Sequence, residues 1–343
     1  MTSFLKRLSG ILGCLVLAVC QSIAWDYEIH RMINEIAVAS LPTNFPAFVF
    51  EKTNKERIAF LGGEPDRWRN TPELELRHQN HPDHYFDYEY LEMHRILPQE
   101  LPSFRYEFMA MLTLTRAAHP QNFPPIDPAK NKDKTRELPG FLPWTVNEYY
   151  AKLKSQFSCL KEFDENGSAD EISNARQNAI YVMGVMGHFV GDVTQPLHTT
   201  KHFNGWVGEN PNGYTTSTKI HSWIDGGYIE KVGINREKLL GRVTPAVNLR
   251  KGGNTENPDN LFPDIMKYFL EQNRLVETLY KMEKEGKFSG EGENGVHGRE
   301  FIENQILKAG QMLGNLWLTA FEQASGDKFL KEQLLKKKAK NAE

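Results

Sequence analysis

The sequence predicts an all-α fold in one mostly helical domain, and three observations carry that prediction. Apolar residues recur at helical spacing, as in Ile29, Met32, Ile33, Ile36 and Ala37, and again in Ile302, Ile306, Ala309, Met312, Leu313 and Leu316. No alternating strand pattern repeats, and no period of 20 to 50 residues stands out. Metal-ligand side chains are scattered over more than half the chain, so one domain must gather them.

The 343-residue chain opens with Lys6 and Arg7, an apolar run over 8–20, and Gln21-Ser22-Ile23-Ala24. This is the pattern of a signal peptide over 1–24, cleaved after Ala24 to leave Trp25 as the new N-terminus. The run is too short for a membrane span, which needs roughly 20 apolar residues. The expected protein is secreted or periplasmic, with no membrane span in its mature form. Removing two cations and no acids leaves 39 Lys and Arg against 44 Asp and Glu, a net charge of −5. The absence of a basic bias argues against tight wrapping by nucleic acid. Of the three cysteines, only Cys159 lies beyond residue 24, so an internal disulfide is excluded.

In chain order, 25–41 reads as a helix and 47–60 as a second, stopped by Gly62-Gly63. The stretch 64–100 reads as loop-rich. A helix follows over 103–118, then a polar, proline-rich excursion over 120–143. Its charge run at 130–137 reads as solvated surface. An amphipathic helix over 144–163 and a turn over 164–170 lead to a central helix over 172–198. Residues 201–218 read as loop, followed by a short helix carrying His221 and Asp225. A long helix is expected over 261–284, with Pro263 in its first turn. A flexible insert with five glycines spans 286–298, and a last helix 299–323. A catalytic domain over 25–325 would then be followed by a frayed basic tail over 326–343.

The chemistry is concentrated around the central helix. His188 and Asp192, four residues apart, project from one helical face. Pro196 breaks the helix and lets His198 swing away. His221 and Asp225 repeat the four-residue spacing, and Asp66 precedes His84 across a loop. These nitrogen and oxygen donors, without thiolate, suit zinc in an open catalytic site, with manganese or iron as the chief rivals. They exceed one ion's needs, which favours a multi-metal centre. Two ions about 4 Å apart can share a water and hold both oxygens of a phosphoester displacement. Asp192, mid-helix and one turn from His188, is the best bridging carboxylate. Arg69, three residues after Asp66, could neutralise phosphoryl charge, although taken alone it reads as an ordinary surface cation. His202 reads as a loop residue.

Five motifs together resemble the S1/P1 nuclease family, within the superfamily that includes zinc-dependent phospholipase C. They are WDYEIH at 25–30, DRWR at 66–69, HYFD at 84–87, HFVGDVTQPLH at 188–198 and HSWID at 221–225. The resemblance implies three zinc ions. Asp66, His84, His188 and Asp192 would hold the first, and His198, His221 and Asp225 the second. Trp25, through its freed amine and carbonyl oxygen, would hold the third with His30 and Asp192. It further implies that Asp66 and Arg69 are catalytic and that Tyr85 and Asp87 bind the scissile base. The implied substrate is single-stranded DNA or RNA, or nucleotides, cleaved to 5′-phosphonucleotides, with 3′-nucleotidase activity alongside. No stable protein partner is implied. The alternatives are a phospholipase C or other phosphoesterase, and a zinc-binding protein without catalysis. The chain departs from the family pattern after His198, where 199–216 replaces a Gly-Gly-Asn loop.

Overall fold

A computed structural model describes residues 25–251 and 260–342. The signal-peptide prediction over 1–24 lies outside the described residues. The fold is all-α and forms one domain, and among the described residues no strand occurs, only an isolated bridge between Phe86 and Gly140. No described helix is long and apolar enough to cross a membrane.

The chain begins with α1 (Tyr27–Ser40), α2 (Lys52–Leu61), α3 (Glu64–Arg69) and α4 (Leu74–Asn80). After α5 (Arg105–Ala118) come two long helices, α6 (Leu142–Asn166) and α7 (Ala169–Thr194). The chain closes with α8 (Phe262–Asn273), α9 (Val276–Lys284), α10 (Gly298–Gln323) and α11 (Lys328–Ala342). Helix α7 is the axle. Helices α1, α2, α6, α8 and α10 all pack on it.

Sequence explains the position of α7. Ser168 caps its start by accepting from the Glu171 amide, while the Glu171 carboxylate accepts from the Ser168 amide at 2.9 Å. Gly184, Gly187 and Gly191 make a stripe at helical spacing. A Cβ at Gly187 would strike the Asn34 side chain of α1, and one at Gly191 would lie 2.9 Å from Ile33 and 3.0 Å from the His30 ring. The stripe therefore lets α1 approach so closely that His30 reaches α7. Nearly every residue of α7 from Ile180 onward is buried. Burial on all sides fits an apolar helix with few charges.

Several expectations are corrected. The stretch 64–100 holds α3 and α4, because Pro65 and its acidic neighbours start a helix rather than a loop. The expected long helix over 261–284 is two helices, and at the break Asn273 donates 2.9 Å to the Thr199 carbonyl oxygen. The 286–298 insert is a packed turn, not a free one: Phe288 is buried and its carbonyl oxygen accepts from the Trp223 indole at 2.7 Å. The charge run at 130–137 is not simply solvated, since Asn131, Asp133 and Thr135 point inward. The tail is helix α11, which packs on α6 through buried Leu334.

Candidate metal centre

Three groups of buried His and Asp side chains meet beside α7. Helix α1 contributes His30 and α7 contributes His188 and Asp192, which form the first group. Asp66 of α3 and His84, at the end of the turn His81–His84, join His188 in the second. His198, on the single turn Pro196–Thr199, meets His221 and Asp225 in the third. Within each group the ligand atoms lie within 4.8 Å of one another.

Asp192 connects the groups. Its Oδ2 is 3.0 Å from His84 Nδ1 and 3.3 Å from His188 Nε2. Its Oδ1 is 3.6 Å from His30 Nε2 and 3.5 Å from His198 Nδ1. Asp66 Oδ1 is 3.8 Å from His188 Nε2 and 3.9 Å from His84 Nδ1, and Arg69 holds the same oxygen at 2.9 Å. In the third group, Asp225 Oδ2 is 2.9 Å from His221 Nε2 and 4.0 Å from His198 Nε2.

Backbone and neighbouring side chains aim these groups. His188 Nδ1 donates to the Gly62 carbonyl oxygen at 2.7 Å, which turns Nε2 toward Asp66 and Asp192. His198 Nδ1 donates to the His84 carbonyl oxygen at 2.8 Å, which leaves Nε2 for the third group. The two segments are further laced by the Phe86 amide donating to the His198 carbonyl oxygen at 2.9 Å. Gln195 donates through Nε2 to Asp225 Oδ1 in a short hydrogen bond. Such carbonyl and amide partners fix ring orientation and tautomer in metal sites. Asp225 lies in a π-turn (Trp223–Gly227) that follows the short helix Ile220–Ser222. That widened turn shapes the His221–Asp225 pair.

The electrostatics are those of a site built around cations. Burial holds His30, His84 and His198 well below the ordinary histidine range, so they stay neutral donors. Burial pushes Asp192 up to about 6 and Asp225 up as well. His188 is depressed by burial but raised further by Asp192 and Asp66, with a net upward shift. Both ring nitrogens of His30 and of His221, with His84 Nε2, His198 Nε2, Asp192 Oδ1 and Asp225 Oδ2, have no aligned hydrogen-bond partner. Buried polar atoms left this way are costly unless something else satisfies them. Neutral nitrogens and carboxylate oxygens, gathered and unsatisfied, fit metal ions.

No protein-family model, curated protein or solved structure matches this chain. The fold and the side chains therefore carry the reading alone.

The sequence-predicted ligands His30, Asp66, His84, His188, Asp192, His198, His221 and Asp225 all converge. His188 is shared between two groups, which spacing did not foretell. Trp25 is fully buried, and its indole Nε1 donates to the Gly191 carbonyl oxygen at 3.1 Å, next to Asp192. The Asp26 amide donates to the Asp225 carbonyl oxygen at 3.2 Å, so the Trp25-Asp26 segment is tied to both pairs of ligands. Tyr85 sets its ring edge-on to His81 at 5.7 Å. Asp87 is buried with Oδ1 unpartnered, and burial, with Glu89 nearby, raises its pKa well above the carboxylate range. His202 stacks on Trp206 with ring centroids 4.0 Å apart and belongs to the loop. Gln195 was missed as a supporting residue. Its only sequence signal is its place between Asp192 and His198.

Proposed function

We propose that this chain is an exported zinc-dependent phosphodiesterase, a single-strand-preferring endonuclease that hydrolyses DNA or RNA to 5′-phosphonucleotides, with 3′-nucleotidase activity. The observation that supports it most is the shared carboxylate of Asp192, within 3.6 Å of four histidines from four separate segments. One carboxylate serving several nitrogen sets is the arrangement a multi-metal hydrolytic centre requires.

Asp66, His84, His188 and Asp192 would hold one zinc, and His198, His221 and Asp225 a second. His30 and Asp192 would hold a third, completed by the amine of Trp25 once the leader is removed. Bound there, the ions would supply a water of lowered pKa and offset the charge on the attacking and leaving oxygens. Asp66 would orient or deprotonate that water. Arg69, 2.9 Å from Asp66, keeps a guanidinium beside the cluster, where it can neutralise phosphoryl oxygens. Tyr85 offers a face for base stacking, worth about 1–3 kcal/mol per base and tolerant of sequence. Asp87, buried with Oδ1 unpartnered, offers a carboxyl oxygen to a base edge.

A phospholipase C using the same ligands is the second reading, favoured by the loop at 199–218, which leaves the nuclease pattern. A parallel assay separates them. Protein beginning at Trp25 is offered single-stranded DNA, RNA, a 3′-nucleotide and phosphatidylcholine, with and without chelator. Chelator-sensitive release of 5′-phosphorylated fragments is expected. Hydrolysis of phosphatidylcholine alone would favour the second reading. Failure on every substrate by zinc-loaded protein would reduce the site to a binding site.

A further inference from the structure

Residues 130–137 form a strongly charged run that the metal centre does not explain. The run alternates. Asn131, Asp133 and Thr135 are buried, while Lys130, Lys132, Lys134 and Arg136 are exposed. A solvated charge run has no reason to alternate, so the segment is pinned. Asp133 is the pin. Its Oδ2 takes Arg77 of α4 at 3.0 Å, and its carbonyl oxygen accepts from His78 Nδ1 at 2.7 Å. Thr135 Oγ1 donates to the Asp133 carboxylate at 3.0 Å and lies 3.3 Å from His81 Nδ1. Asn131 closes the loop on itself, accepting from the Arg136 amide at 3.2 Å and donating to Glu137 at 3.1 Å. Lys134 sits at φ +58°, a left-handed conformation that costs a side chain energy and marks an imposed shape.

The pinned segment borders the candidate active site. His81, which it holds, lies edge-on to Tyr85. Immediately downstream, the Asp87 amide donates to the Pro139 carbonyl oxygen at 2.7 Å, and the Leu142 amide to the Tyr85 carbonyl oxygen at 3.1 Å. Arg69 and Arg136 both bear on His81 electrostatically. The two carboxylates of the run are engaged, Asp133 with Arg77 and Glu137 with Asn131. Four exposed cations thus stand along one fixed segment, net +2 within a chain of net −3.

We propose that the outer face of 130–136 is a phosphate-backbone track, which takes the sugar-phosphate chain of a single strand as it leaves the metal centre past Tyr85. The inference rests on the nuclease reading and adds to it a binding site for the flanking strand. Cations spaced along a fixed segment bind phosphates without reading bases. Removing one cation–phosphate pair should flatten the salt dependence of single-strand affinity by about 0.7 in the slope of log K against log salt.

The test uses binding and cleavage together. Lys130→Gln, Lys132→Gln, Lys134→Gln and Arg136→Gln are combined in one variant, all at exposed positions, with folding checked by thermal melting. Binding to an oligo(dT) strand is followed across salt concentrations in metal-stripped protein. The slope should fall by about 1.4 to 2.8, for two to four phosphates no longer neutralised. A second variant neutralises Lys328, Lys336 and Lys340 on α11 and should keep the wild-type slope, which separates a local track from net charge. An unchanged slope in the first variant overturns the track, as does an equal drop in the second. Loss of binding to anionic phosphatidylserine vesicles with oligo(dT) binding intact would assign the face to a membrane and also overturn it. Failure of zinc-loaded wild-type protein to cleave any nucleic acid would defeat the nuclease reading instead, a result the slopes do not decide.

Discussion

The ligands around Asp192 and the ligands around Asp225 have the same chemistry on different scaffolds. His30, His188 and Asp192 are fully buried on α1 and α7, two long helices locked together across a glycine stripe. His198, His221 and Asp225 sit on a single 3-10 turn and on a short helix that runs into a π-turn. They are slightly more open, with the exposed Phe203 ring 6.1 Å from His221. Regular helices fix geometry well, while irregular backbone can be re-aimed. The first set is thus suited to hold ions rigidly. The second is suited to one ion nearer solvent.

The largest effect should come from breaking the shared carboxylate. Asp192→Asn keeps the shape but removes the charge that four histidines face. Metal content should fall by more than one ion per chain and activity by more than about 100-fold, the upper end of losses seen when only supporting residues are removed. His221→Ala should release a single ion and leave the Asp192 set loaded. Elemental analysis of both variants decides it. Equal losses would mean that the two sets are one cooperative site.

A smaller effect, in pH, separates the sets by their protons. In the metal-free protein, the net upward shift of His188 and the rise of Asp192 to about 6 allow the first set to hold a proton near neutral pH. Zinc must displace it. A raised pKa means more proton bound as pH falls, so zinc affinity should drop as pH falls through 7 to 6, about tenfold per unit for each proton displaced. His30, His84 and His198, kept neutral by burial, add no competing proton in that window. Calorimetry at pH 6 and 8 in two buffers counts the protons. A zinc affinity independent of pH across that window would contradict the shared-proton account.

Much of this contrast was legible in the sequence because it is local. The pairs His188–Asp192 and His221–Asp225 follow from helical spacing, and the break before His198 from Pro196. What was not legible is tertiary. That His188 serves two groups depends on α1 reaching α7 through Gly187 and Gly191, an approach that no spacing within one segment encodes. The division between α8 and α9 has no proline or glycine to mark it, and there Asn273 turns to bind the Thr199 carbonyl oxygen. The inward face of 131–135 exists because Arg77, His78 and His81 hold it, so the same residues read as plain surface when taken alone. Helix α11 read as a frayed tail because its lysines dominate, yet Leu334 is buried and Lys337 pairs with Glu171 at 2.7 Å.

The finest test of the contrast is Gln195→Ala. Gln195 links the two scaffolds: its backbone amide closes the end of α7 on the Asp192 carbonyl oxygen at 3.1 Å, and its side chain donates to Asp225. Its side-chain oxygen also accepts from the Leu197 amide at 3.3 Å, which shapes the turn that carries His198. Alanine keeps the backbone bond and loses both side-chain bonds. If the Asp225 set depends on such supports while the Asp192 set depends on its helices, zinc should be lost from one site only. The weakening should be about 10- to 100-fold, the usual effect of removing an orienting partner. Zinc titration against a competing chelator would show one site weakened and the others unchanged. Uniform weakening of every site would mean that the rigidity of the first set comes through Gln195 rather than from the packing of α1 on α7.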